Sequence, residues 1–110
     1  MDIKELNRRI VQYHNEGRIH AKRGYKLNEA SPNMAAIHLI EETVEYAAAC
    51  IAPKGMKKND REKIPYNLET EEAADILLCW LHLNFLRQIP LNSILEQAAT
   101  KLDQIFPERE

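Results

Sequence analysis

Two short runs of acids, separated by a polar stretch, are where this chain could do chemistry. Glu41-Glu42-Thr43-Val44-Glu45 forms an EExxE pattern, and Glu72-Ala73-Ala74-Asp75 forms an ExxD pattern with Glu71 directly before it. On an α-helix, Glu42 and Glu45 lie about 60° apart, Glu41 and Glu45 about 40°, and Glu72 and Asp75 about 60°. Each run therefore presents its carboxylates on one helix face. Glu41, Glu42 and Glu45 are flanked by Ile40 and Val44, and Asp75 runs straight into Ile76-Leu77-Leu78, so both clusters border apolar stripes. Packing two such helices together gathers four or five negative charges in a partly buried cleft. Like charges there repel by roughly several kcal/mol at an effective dielectric of ~20. Divalent cations between them remove the conflict, and all-oxygen ligation with no obligatory Cys or His suits a hard ion, Mg²⁺ or alternatively Mn²⁺. A di-iron carboxylate bundle wants Glu-x-x-His on paired helices. Here the third position on is Glu45 or Asp75, which removes its nitrogen ligands. The plain alternative is a set of solvated acids, because EExxE alone is common on helix surfaces.

The elements that must position these acids are helical. Hydrophobic residues make up 45% and charged residues 29% of the 110, the balance of a soluble globular domain and not of a disordered chain. Three glycines and five prolines are too few for the frequent turns of a sandwich or barrel. A first helix is predicted over residues 2–17, on Ile3, Leu6, Ile10 and Tyr13/His14. Residues 17–30 carry two glycines and mixed charge, and they predict no definite element. Ser31-Pro32 is a helix start, a Ser N-cap followed by Pro at the first helical position. The second helix then covers residues 32–52, ends before Pro53, and has an apolar stripe of Ile37, Ile40, Val44, Ala47/Ala48 and Ile51. Residues 53–66 read as a loop with a basic stretch from Lys54 to Lys63, a solvated segment more readily than an arm for a polyanion. A third helix covers residues 68–88 with Asn67 as N-cap. A fourth covers 91–106 on Leu91, Ile94/Leu95, Ala98, Leu102 and Ile105/Phe106.

The expected fold is all-α, one domain over residues 1–110. The third helix is apolar on too many sides for a lone bundle of this size, so it is expected to pack against a second subunit in a homodimer or homotetramer. A net charge of −2 gives no pull toward nucleic acid or an anionic membrane. The charged N-terminal stretch lacks the apolar core of a signal peptide, and the apolar run at 76–86 is too short to span a bilayer. Cys50 and Cys79 form no CxxC pair, which favours small buried thiols in a reducing cytoplasm over a zinc site or disulfide.

The paired acidic motif resembles that of the MazG-like, all-α nucleoside triphosphate pyrophosphohydrolases, which include the dimeric dUTPase-like, dCTPase-like and phosphoribosyl-ATP pyrophosphohydrolase enzymes. Their EExxE, spacer and ExxD correspond here to Glu41-Glu42-x-x-Glu45, the 26 residues 46–71, and Glu72-x-x-Asp75. The likeness extends over residues 32–106 and includes the run DILLCWLHLNFLRQIPLNSIL. It implies a four-helix MazG-like bundle completed by homo-oligomerisation. It also implies Mg²⁺-dependent hydrolysis of a nucleoside triphosphate to the monophosphate and pyrophosphate, in nucleotide-pool sanitation. By the same resemblance Glu42, Glu45, Glu72 and Asp75 are metal ligands, and Glu41 is a further ligand or orients the attacking water. His38 stands where family members often carry a lysine, three residues before the acidic pair. The family's last helix often carries a phosphate-gripping Lys/Asn/Arg set. Lys101 is its one basic residue here, with Gln97, Ala99 and Gln104 around it. The basic stretch 54–63 or a second subunit is expected to complete that grip.

Four other groups bear on a substrate. His82 continues the face of Asp75, either toward substrate or, slightly favoured, as a hydrogen-bonded core histidine. Tyr13 and His14 are placed to stack on a nucleobase by analogy with the family, although core packing is the simpler role for Tyr13. Trp80 reads as core or interface. Arg8, Arg9, Arg18, Lys22, Arg23 and Lys26 make the N-terminal region positive; most are expected in solvent, with one or two in reach of a triphosphate. The rival functions are a metal- or nucleotide-binding module without efficient turnover, and a purely structural helical protein.

Overall fold

The computed structural model describes residues 1–55 and 68–108. Within them the chain is all-α. Helix α1 spans Ile3–Asn15, α2 Pro32–Gly55, α3 Leu68–Leu86 and α4 Leu91–Ile105, with a 3-10 turn at Leu27–Glu29. No strand occurs among the described residues beyond a single antiparallel bridge between Ile19 and Lys26. The expected Asn67 cap and nearly all of the basic stretch lie outside the described residues.

Local chemistry sets the helix ends. Asp2 caps α1 by accepting from the Glu5 N–H at 2.9 Å, which satisfies one of the donors a helix start leaves free. The other end closes on Gly17 at φ 66°: the Arg18 N–H donates to the Tyr13 carbonyl and the Gly17 N–H to that of His14. A left-handed residue in that place is what such a C-terminal closure needs. Ser31 caps α2 as its sequence suggests, its Oγ accepting from the Met34 N–H at 3.1 Å. The expected stop before Pro53 is corrected, because α2 continues to Gly55. Proline's fixed φ fits a helix, and at the last turn its missing N–H removes only one bond. Helix α3 stops at Leu86, two residues earlier than expected, because Gln88 takes φ 59° and the Ile89 N–H donates back to the Asn84 carbonyl.

Residues 18–26 form a small hairpin in the connection that the sequence left undetermined. The His20 N–H donates to the Tyr25 carbonyl at 2.8 Å and the Leu27 N–H to that of Arg18 at 2.9 Å. Gly24, at φ 75°, lets the tip turn back. Lys22 and Arg23 sit at that tip.

Helices α2 and α3 make the main packing, and α1 lies against α3. Tyr46 faces Glu69, whereas Ala35 and His82 line a common cavity, so α2 and α3 run antiparallel. The buried positions of α2 are Ala35, Glu42 and Ala49, spaced seven residues apart, and small side chains there allow a close approach. This corrects the expected core stripe. Ile37, Ile40, Val44 and Ile51 are all more than half exposed. They are bulkier and more apolar than the alanines, yet they lie on the far side of the helix. A second correction concerns α3. Leu81 is its best-buried residue at 1% exposure, and Leu78 is its one exposed large hydrophobic among the described residues. The uncovered apolar surface thus lies on α2 and on α4, where Leu102 and Ile105 are open, as is the adjoining Phe106.

Candidate functional site

A carboxylate occupies the middle of the alanine seam. Glu42 is 6% exposed, flanked one heptad away on each side by Ala35 and Ala49. Close packing across the seam brings Glu72 of α3 next to it, and Glu45, one turn along α2, completes a group. One oxygen from each of Glu42, Glu45 and Glu72 lies within 4.8 Å of the other two. The Oε2 atoms of Glu42 and of Glu72 are both buried without a hydrogen-bond partner among the described residues. A buried carboxylate oxygen without a donor is costly, and two side by side compound the cost by repulsion. Oxygens sharing one Mg²⁺ at ~2.1 Å lie within ~4.2 Å of one another. Adjacent ligands of an octahedral ion stand only ~3.0 Å apart, so the three carboxylates would close by up to about 2 Å to bind one hard ion. The donor set fits such an ion.

Two further carboxylates flank the triad, and each is held by a cation from the hairpin tip. Arg23 Nη2 donates to Glu42 Oε1 at 2.8 Å, and its Nη1 to Glu41 Oε2 at 3.3 Å. Lys22 Nζ donates to Asp75 Oδ2 at 3.0 Å, an interaction that holds the ammonium pKa above its ordinary value. Asp75 is thus beside the triad and not within it. Glu41 is half exposed and faces the rim.

A cavity of about 360 Å³ opens from Glu42 and Asp75 toward α1. Its apolar wall includes Leu6, Ile10 and Leu78, with Tyr13 alongside. The Arg18 guanidinium sits 4.5 Å from the Tyr13 ring centre. On the opposite side Tyr25 lies between two imidazoles. It stacks on His38 at 5.6 Å with an interplanar angle of 26°, and lies 6.0 Å from His20. Tyr25 Oη and His38 Nδ1 are 3.0 Å apart and share a hydrogen bond. Burial, then the nearby Arg23 charge, lower the pKa of both His20 and His38, which favours neutral rings. Burial first, then His14 and His20, push His82 down to about 4. His82 Nε2 lies 3.2 Å from His14 Nδ1, so one ring donates to the other, and the His14 edge meets the Phe85 ring at 4.9 Å. Cys79 also lines the cavity, and its thiol pKa is raised, chiefly by burial and then by the Glu42 charge. Both cysteines are free.

The structure brings together Glu42, Glu45 and Glu72, sets Glu41 and Asp75 at their edges, and places His38 and His82 on the adjoining cavity. His14 contacts His82 but does not line the cavity, and Lys101 is exposed on α4, also away from it. Sequence reasoning did not weigh Tyr25, and it did not single out Lys22 and Arg23 among the six N-terminal cations. The available signal was the pair of glycines bracketing residues 18–23, which marks a tight excursion of the chain. No protein-family model, curated protein or solved structure matches this chain.

Proposed function

We propose that the chain is a Mg²⁺-dependent nucleoside triphosphate pyrophosphohydrolase, built as a MazG-like bundle and completed by a second copy of itself. The supporting observation is the convergence of Glu42, Glu45 and Glu72, with two orphaned buried oxygens, at the end of a cavity walled by aromatic and apolar side chains. Glu42, Glu45 and Glu72 would hold the ion, with Asp75 joining once Lys22 releases it. A hard dication there supplies charge neutralisation of the triphosphate and a more acidic attacking water. Water oxygen bonds to the α-phosphorus, the bond to the bridging oxygen breaks, and pyrophosphate leaves. Glu41, at the rim, accepts or orients the water proton. The cavity receives the nucleoside, with Tyr25, Tyr13 and the neutral imidazoles offering stacking faces and hydrogen bonds. Enclosing the base away from water leaves catalysis to positioning and electrostatics.

No helix among the described residues is long and apolar enough to cross a membrane. A cytoplasmic site of action suits an enzyme of nucleotide pools, and no specific nucleic acid partner is proposed. The second reading is a metal- or nucleotide-binding module without efficient turnover, favoured by the position of Lys101 away from the cavity.

The test has two arms. Mg²⁺ or Mn²⁺ is expected to raise the melting temperature through linkage. A panel of NTPs and dNTPs is expected to yield pyrophosphate with Mg²⁺, at rates falling by about a hundredfold or more in Glu45→Gln and Asp75→Asn. A metal shift without pyrophosphate from any nucleotide selects the binding module. No shift with tens of millimolar metal selects the structural protein.

A further inference from the structure

We infer that Lys22 and Arg23, at the tip of the 18–26 hairpin, are the residues that bind the phosphates of the incoming nucleotide, and that they do so by exchanging partners with the metal. The inference rests on the metal reading above and names the substrate grip which that reading lacks. Arg23 uses Glu42 Oε1, an oxygen of a prospective metal ligand, and Lys22 uses Asp75 Oδ2. Arg23 and Lys22 draw on the same negative charge that a dication at the triad would draw on, so each bound positive charge weakens the hold of the acids on the other. A metal at the triad would weaken the hold of Glu42 and Asp75 on two positive side chains at the mouth of the cavity, beside the place a polyphosphate would occupy. Phosphate oxygens are the acceptors that a guanidinium fork and an ammonium match best.

Two observations narrow the choice to this pair. Among the described residues, the basic side chains lining the cavity are Arg9, Lys22 and Arg23; Arg9 pairs with Glu5 of α1 at 3.3 Å, whereas Lys22 and Arg23 are the ones paired with the acidic motifs. The hairpin is also built to present its tip: the Gly24 φ of 75° and the His20–Tyr25 backbone bond fix residues 21–24 over the acids. Tyr25, next in sequence, reaches into the base side of the cavity. One short element thereby touches both the phosphate end and the nucleoside end.

The experiment measures two ligands on the full chain, Mn²⁺ alone and inorganic tripolyphosphate in excess Mg²⁺, by calorimetry, for the parent, Lys22→Gln, Arg23→Gln and the double variant. Removing a competing cation is expected to tighten Mn²⁺ by about two- to fivefold. Losing a charge-assisted donor is expected to weaken tripolyphosphate by about tenfold or more. A residue with only a structural role would weaken both together, and that result overturns the inference. So does unchanged tripolyphosphate affinity in the double variant. Lys22 is two-thirds exposed on its side chain, so Lys22→Gln tests the exchange even if Arg23→Gln fails to fold. Failure of the parent chain to bind Mn²⁺ sinks the metal reading itself, a result separable from the tripolyphosphate comparison.

Discussion

At the scale of single residues, the site is a place where stability is given up. Glu72 carries a buried oxygen without a donor and faces two other carboxylates. Glu72→Gln removes a charge while keeping the shape, so in EDTA it should stabilise the fold by about 1 kcal/mol. The same variant should lose most of the Mn²⁺-induced rise in melting temperature. A fall in EDTA stability would mean that the triad is not in electrostatic conflict. His82 gives a pH prediction with a definite sign. Its pKa is depressed to about 4, so the unfolded chain takes up its proton first as pH falls below the ordinary imidazole value. Stability from the neutral ring is complete above about pH 6.5 and drains away between there and pH 4, by about 2–3 kcal/mol. Denaturant unfolding across that window should show the slope, and His82→Gln should flatten it. Glu5, lowered to about 2 by its bonds to Arg8, stabilises the fold above about pH 4.5 and loses that effect between there and pH 2, so the two windows meet only near pH 4–4.5.

The start of α2 was legible in the sequence because it is local chemistry: Ser31 acts through a neighbour three positions away, as do Asp2 and Gly17 at the ends of α1. Gln88 is an exception, since nothing in its type announces a left-handed residue. With φ at 59°, Gln88→Gly should raise stability by about 0.5–1 kcal/mol, read from the denaturation midpoint at unchanged slope. Destabilisation by that change would mean that the side chain makes a contact that matters. The buried face of α2 was not legible. A periodic search weights bulky residues and selects Ile37, Ile40 and Val44. The true seam of Ala35, Glu42 and Ala49 is chosen by the partner helix, because only small groups let α2 and α3 approach. That Glu42 and Glu45 share a side of α2 was legible all the same, since helical spacing fixes each cluster; that Glu72 meets them, with Glu41 and Asp75 left outside the group, depends on the α2–α3 seam. The Lys22 and Arg23 contacts span more than fifty residues for Asp75 and depend on how a hairpin closes, which no local pattern encodes.

Over the whole molecule, apolar area remains to be covered. The radius of gyration is 17.2 Å, against about 13 Å for a compact chain of this length. Ile37, Ile40, Val44 and Ile51 form one continuous face of α2, and α4 is exposed from Glu96 onward. The proposed second copy of the chain would cover that surface, and a stable pair would bury about 800 Å² per partner. An oligomer was expected from the apolar residues of α3, whereas the exposed bulky residues lie mainly on α2 and α4, because composition reveals surplus without revealing which helix keeps it. Ile40→Lys combined with Val44→Lys should convert the protein to a monomer in light-scattering chromatography while circular dichroism stays helical. A parent chain that already elutes as a monomer at micromolar concentration would remove this assembly.

The alanine-framed acid at the centre of the α2–α3 seam ties mechanical tightness to occupancy. A dication shared by Glu42 and Glu45 of α2 and Glu72 of α3 would relieve the repulsion across the seam and act as a rivet between the two helices. Amide hydrogens on the facing turns of both helices should then exchange more slowly in step when Mn²⁺ is added, with those of α4 unaffected.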